Sequence, residues 1–272
     1  MPEGDTVFRA ARLLDTHLSG HELTRAELRV PQHATADLVG ARVTETVSRG
    51  KHLLTRLERD SERWTLHTHL KMEGSWRVFV DGRRWSRPAH QARAILGVPG
   101  REAVGFSLGI VELIATADET EVVGHLGPDL LGPDWDPDEA LQRLQREPDL
   151  PVVEALLDQR NLAGIGNMYA AELLFLAGVH PLTRTGDVAR LARLVRRAHQ
   201  MLDLNKERAT QATTGNLREP LWVYRRDAAP CRRCRTPVRV AMRGPVGRER
   251  ASYWCPNCQP DPHELPWLPV RG

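Results

Sequence analysis

The sequence predicts a multidomain α+β protein: a helix leading into an antiparallel β-sandwich or barrel, then a helical domain, then a small cysteine-held module. Three observations carry this. Short β-rich runs punctuated by Gly and Pro fill the stretch from Leu23 to Ile114. Helical periodicity and helix-start chemistry take over after Gly127-Pro128-Asp129. Two Cys-x-x-Cys pairs, Cys231/Cys234 and Cys255/Cys258, stand 20 residues apart near the end. The expected division is 1–126, 134–222 and 225–262, and 272 residues suffice for two domains or one large one.

Residues 5–18 place Val7, Ala10, Ala11, Leu14 and Leu18 on one helical stripe, which would pack the opening segment onto a core. The expected strands are Ala41 to Val47, His52 to Leu57, Trp64 to His69, Ser75 to Val80, Ala92 to Leu96 and Gly109 to Ile114. Residues 127–134 read as a linker. Asp136 then caps a helix with Pro137 at its first position and Asp138 and Glu139 in its first turn. A second helix starts at Asp149-Leu150-Pro151 and runs through Leu157. A turn containing Gly164 and Gly166 interrupts it, and Asn167 suits the N-cap of the next helix, which Gly178 stops. Helix, glycine-containing turn, helix can dock on DNA when the second helix offers its N-terminal amides to a phosphate. Asp187 to Asn205 is amphipathic, with apolar positions 188, 191, 195, 198 and 202 and an arginine face.

The formal charge of +3 is unevenly spread. Residues 184–250 hold 17 Lys/Arg against 6 Asp/Glu, while the remainder holds 21 against 29. A basic segment in a slightly acidic protein points to a polyanion, and nucleic acid is favoured. No apolar run approaches the roughly 20 residues of a membrane span, and the N-terminus lacks the layout of a signal peptide, so the expected location is cytoplasmic. In that compartment four cysteines read as a metal site rather than disulfides. Two Cys-x-x-Cys loops can close a tetrahedral thiolate site around one zinc ion, and four sulfur ligands leave no position for water, so the ion is structural. The intervening hairpin carries Arg239, Arg243, Arg248 and Arg250.

The chemistry-bearing residues are few. Once Met1 is removed, Pro2 presents a secondary amine with an ordinary pKa near ~8. Such an amine attacks an aldehyde carbon to give an iminium, and the neighbouring Glu3 can move the protons. Taken alone, Lys51 in Ser48-Arg49-Gly50-Lys51-His52 is a solvated charge. Met72 in His69-Leu70-Lys71-Met72-Glu73-Gly74 is, by the same standard, a core residue.

Together these stretches resemble the formamidopyrimidine-DNA glycosylase and endonuclease VIII family of base-excision repair enzymes, over nearly the whole chain. The resemblance rests on Met1-Pro2-Glu3-Gly4, Arg49 to Leu54, Leu156-Leu157-Asp158-Gln159 leading to Gly164-Ile165-Gly166-Asn167, His180-Pro181, and the four-cysteine finger with Glu249 to Ser252 before Tyr253-Trp254-Cys255. It implies a helix-two-turn-helix domain and a zinc finger. It also implies a catalytic set: Pro2 as nucleophile at C1′, Glu3 as acid/base, Lys51 as proton donor in β-elimination, and Arg250 in δ-elimination. The DNA-binding set it implies is Lys71, Met72, His125 and Asn167, with Met72 filling the gap left by a flipped base. Pro2-Glu3-Gly4 points to the endonuclease VIII branch and to oxidised pyrimidines. Glu73 stands where that branch often carries an aromatic, and the spacing between the cysteine pairs exceeds the usual one. The expected partner is damaged DNA, bound by a monomer without a redox cofactor. The rival reading, a non-catalytic DNA-binding or damage-sensing zinc-finger protein, is opposed by intact Pro2, Glu3 and Lys51.

Overall fold

A computed structural model describes residues 2–243 and 249–262. Helix α1, Gly4–Leu18, turns Val7, Ala11, Leu14 and Leu18 inward, as its stripe requires. The strands that follow are β1 Arg25–Leu28, β2 Arg42–Arg49, β3 His52–Arg59, β4 Glu62–His69, β5 Ser75–Val80, β6 Ala92–Val98, β7 Arg101–Phe106 and β8 Ile110–Ala115. They form two antiparallel four-stranded sheets in the orders β1-β6-β7-β5 and β2-β3-β4-β8. Leu53, Leu57, Leu66, Leu96, Ala103 and Trp76 share one buried cluster with the inner face of α1. This is the sandwich with its N-terminal helix. Two of its strands escaped the sequence reading. Arg25-Ala26-Glu27-Leu28 and Arg101 to Phe106 offer little β-branched alternation, and their pairing with β6 supplies what propensity does not.

A short helix α2, Glu119–Val123, leads out of the sandwich. The stretch 127–134, expected as a linker, is built into the structure instead. Asp129 and Leu130 are buried, and Asp129 bridges to Ala163. Helix α3, Pro137–Leu144, begins as its sequence dictates, with the Asp136 side chain accepting from the Asp138 and Glu139 amides at 2.9 and 3.1 Å. Helix α4 is Val152–Leu157, one residue past Pro151. Helix α5, Asn167–Ala177, is the hub of the second core. Every residue from Met168 to Phe175 is buried, so it is wrapped on all sides rather than amphipathic. Gly178 ends it at φ +70°, the left-handed turn that favours glycine. Helix α6, Leu191–Asn205, starts later than expected because a 3₁₀ turn occupies 185–187, but Val188, Leu191, Val195, Ala198 and Leu202 are all buried.

Strands β9, Arg239–Arg243, and β10, Arg250–Trp254, form the hairpin of the four-cysteine module. Arg248 lies outside the described residues, as does Met1. No helix among the described residues is long and apolar enough to cross a membrane.

Candidate active site and nucleic-acid interface

The first residues of the chain are held where three elements meet. The Gly4 amide donates to the Gly164 carbonyl at 2.8 Å, and a side chain on Gly4 would collide with Gly164. Glu3 is fully buried at 0% exposure. Its carboxylate accepts from the Gly166 amide at 2.7 Å and the Met168 amide at 2.8 Å. Glu3 therefore caps α5 from across the molecule, where a negative charge also meets the positive end of the helix dipole. A methyl group at Gly166 would stand 2.5 Å from the Glu3 carboxyl carbon, so that glycine is the space the carboxylate occupies. Asn167 is consequently not the cap its residue type suggested. Gly166 takes the N-cap position, and Asn167 is the first helical residue, its side chain donating to the Ala251 carbonyl of β10 at 2.6 Å.

Lys51 follows Gly50, which adopts φ +59° at the β2–β3 turn and donates its amide to Asp129 at 2.7 Å. The turn is thereby fastened to the helical domain, and Lys51 is partly buried rather than the free surface charge expected of it. Burial brings the Lys51 ammonium down to about 8; the nearby Glu3 carboxylate opposes this and the Arg250 guanidinium adds to it. Burial likewise pushes the Glu3 carboxyl up, against Lys51 and the Met168 amide. Glu3, Lys51 and Arg250 are thus gathered from three distant stretches, and Pro2 precedes Glu3 in the chain. Pro2 is half-buried and Arg250 is exposed. A lysine near 8 beside a raised carboxyl can give and take protons near neutral pH.

Two further carboxylates belong to this junction and were not singled out from the sequence. Asp5 is buried, accepts from the Tyr169 hydroxyl at 3.0 Å and from Gln211 at 2.8 Å, and burial raises its pKa. Asp129, which holds Gly50, is raised in the same way. Their partners lie 164, 206 and 79 residues away, a separation that no local pattern encodes.

The loop after β4 projects Met72. Leu70 is buried, and the Gly74 amide closes back on the Leu70 carbonyl at 2.9 Å. A side chain on Gly74 would strike that carbonyl. The turn puts Lys71 at φ +51° and throws Met72 outward with 61% of its surface exposed, which overturns its reading as core. Gly109 leaves the room that the Lys71 stem fills. Exposed apolar side chains also occur elsewhere on the surface, but this one stands at the tip of a tight loop, a placement that suits an apolar wedge.

A row of histidines lies beside this loop. His52 bonds His67 at 2.8 Å, and His67 bonds Glu112 at 2.8 Å. His69 and the exposed His125 set their rings edge-on to His52 at 5.0 and 6.4 Å. Burial, reinforced by the neighbouring cations and rings, lowers His52 to about 3 and His69 to about 4. Both are neutral at physiological pH and offer hydrogen bonds rather than charge.

The four cysteine sulfurs lie within 4.8 Å of one another, with Cys231 and Cys258 Sγ 4.0 Å apart and Cys234 and Cys255 Sγ 3.4 Å apart. Ligands at about 2.3 Å in a tetrahedron stand about 3.8 Å from each other, so the donor set and its size fit a metal ion. The Arg233 amide approaches Cys231 Sγ at 3.4 Å, the kind of outer contact that supports a thiolate ligand. Gln259 fastens the module to the helical domain, donating to the Val179 carbonyl at 2.8 Å.

Comparison with known proteins places this geometry. Residues 1–106 match the family model for the formamidopyrimidine-DNA glycosylase N-terminal domain, and residues 126–214 match that for the formamidopyrimidine-DNA glycosylase H2TH domain. The chain is 53% identical to "Probable endonuclease 8 2" of Streptomyces coelicolor, over 98% of this chain and 96% of that one. It is 46% identical to "DNA-(apurinic or apyrimidinic site) lyase Nei2" of Mycolicibacterium smegmatis, over 95% and 99%. Among solved structures, a complex of Lactococcus lactis Fpg with DNA containing an abasic site superposes with a TM-score of 0.77 at 22% identity, covering 95% of this chain and 100% of that one.

Proposed function

Because this chain belongs to the formamidopyrimidine-DNA glycosylase and endonuclease VIII family, we propose that it is a bifunctional DNA glycosylase and abasic-site lyase that removes oxidised pyrimidines from DNA. The observation that carries the reading is the burial of Glu3, the residue next to Pro2, at the α5 N-terminus, within electrostatic reach of Lys51, which burial brings down to about 8. The Pro2 amine, free once Met1 is removed, forms a bond to C1′ as the bond to the base breaks, and the ring opens to an iminium. Glu3 carries the proton for ring opening. The iminium then draws electrons from the adjacent C–H bond, the 3′-phosphate leaves in β-elimination, and Lys51 handles the accompanying proton. Arg250 assists departure of the second phosphate.

The DNA lies between the sandwich and the helical module in this reading. Lys71 and His125 contact its backbone, Met72 enters the gap left by the flipped base, and Asn167 exchanges its bond to Ala251 for a phosphate. The division into a catalytic module over 1–126, a DNA-gripping module over 134–222 and a finger over 225–262 belongs to the same proposal. One zinc ion on Cys231, Cys234, Cys255 and Cys258 supplies a cross-link that stiffens the hairpin carrying Arg250. The enzyme acts as a monomer in the compartment that holds the chromosome.

Borohydride trapping on oligonucleotides bearing different oxidised bases tests the proposal. A covalent protein–DNA band is expected, strongest on oxidised pyrimidines and greatly weakened by Pro2→Gly. An unchanged band in that variant would overturn the role of Pro2, and no band on any lesion would overturn the reaction class.

A further inference from the structure

The sandwich carries a second cationic feature that the reaction does not use. Residues 1–126 contain 17 basic and 17 acidic residues, yet residues 77–93 hold five arginines against the single Asp81. The connection from β5 to β6 gathers Arg83, Arg84 and Arg87, with Arg25, Trp85 and Glu102, around an open groove of about 820 Å³. This is a built surface. Trp85 donates its indole N–H to Glu102 at 2.5 Å, packs edge-on against Phe106 at 6.0 Å, and takes the Arg29 guanidinium over its ring at 5.6 Å. Arg77 holds Ser86 at 2.8 Å.

Charge pairing inside the groove is lopsided. Glu102 is already engaged by Arg25 at 2.8 Å as well as by Trp85. Among the described residues, Arg83 and Arg84 are exposed with no carboxylate at ion-pair distance. Arg87, at the edge of the groove, donates to the Glu73 carbonyl at 3.3 Å, in the loop that projects Met72. The groove therefore continues directly from the wedge loop.

We infer that this arginine groove is an accessory binding site for the phosphate backbone of the DNA arm that runs past the Met72 wedge. It rests on the functional reading above, which puts DNA at that wedge. The chemistry selects phosphates over bases, because the one aromatic ring has its N–H bonded and is already packed by Phe106 and Arg29, leaving it poorly placed to stack on a base. Arg87 lies four residue steps beyond Arg83, a span of at most about 14 Å. At about 3.4 Å per base step that is about four base pairs beyond the wedge loop.

The test compares an abasic-analogue duplex with two long arms of about twelve base pairs against two duplexes shortened to about three, one on the 5′ side of the lesion and one on the 3′ side. On the long-armed duplex, Arg83→Ala/Arg84→Ala should lower the slope of log affinity against log salt by about 1.8, since each neutralised phosphate contributes about 0.9. Arg83→Lys/Arg84→Lys should keep the slope. Shortening one arm, and only one, should give the wild type the slope of the alanine variant. Equal slopes for wild type and alanine variant on the long-armed duplex would overturn the inference. Unaltered DNA binding combined with lost binding of a polyglutamate peptide would overturn it in favour of an acidic protein partner. Failure of the functional reading looks different: wild-type protein would then give no trapped adduct and no lesion binding at any arm length.

Discussion

At the scale of single residues the site works by placing ionisable groups where water cannot reach them. Burial takes Lys51 from the ordinary lysine value of 10.5 to about 8, so its proton becomes transferable near neutral pH. In its proposed role as proton donor it must be charged, and the elimination step should therefore fall as pH rises through about 8. Single-turnover cleavage of preformed abasic sites from pH 6 to 10 checks this, and Lys51→Arg, which stays protonated throughout, should remove the inflection. The linkage sign follows from the same depression. Between about 8 and 10.5 the unfolded chain binds more protons at Lys51 than the folded one, so this residue makes stability rise with pH across that window. None of it could be read from Ser48-Arg49-Gly50-Lys51, because the turn is packed against Ala163 and Gly164 and held by Asp129, all far along the chain. The misreading of Asn167 has a related cause. An asparagine at a helix start is a sound cap by propensity, but the position was already served by a carboxylate 163 residues upstream of Gly166.

At the scale of elements, local chemistry was legible and distant pairing was not. Asp136 announced its helix because its partners are two and three residues away. The helical stripe of α1 and the left-handed stop at Gly178 were readable for the same reason. Strands β1 and β7 were not, since their neighbours in the sheet decide them. The wedge loop lies between these cases: Gly74 marked a turn, but only the closure onto Leu70 and the space beside Gly109 turn Met72 outward. Substitution Gly109→Ala, which puts a methyl group into the Lys71 stem, should shift that loop. Affinity for lesion DNA is expected to drop several-fold while undamaged duplex binds nearly as before, measured by competition binding; overall stability should fall by about 1–3 kcal/mol. Met72→Ala should give the same selective loss without the stability cost, by removing the wedge and leaving the loop.

At the scale of the whole molecule, α5 is where everything is fastened: Glu3 at its start, Ala251 of the finger on Asn167, and Gln259 beside its end. The Cys-x-x-Cys pairs were the most legible feature of the sequence because spacing alone specifies a four-sulfur site, whereas the tethers joining finger to helix use main-chain carbonyls that no sequence displays. Purified protein should contain about one zinc per chain by elemental analysis, and Cys231→Ser should lower that content and weaken DNA binding together. The burial of Glu3 also sets an order of events during synthesis. The amides that enclose it belong to Gly166 and Met168, so the pocket cannot close until more than 160 further residues have been translated. At roughly 5–20 residues per second that leaves the nascent N-terminus open for roughly 10–30 s. The proposed mechanism needs Met1 clipped to free the proline amine, and an aminopeptidase has that interval in which to act before the site shuts.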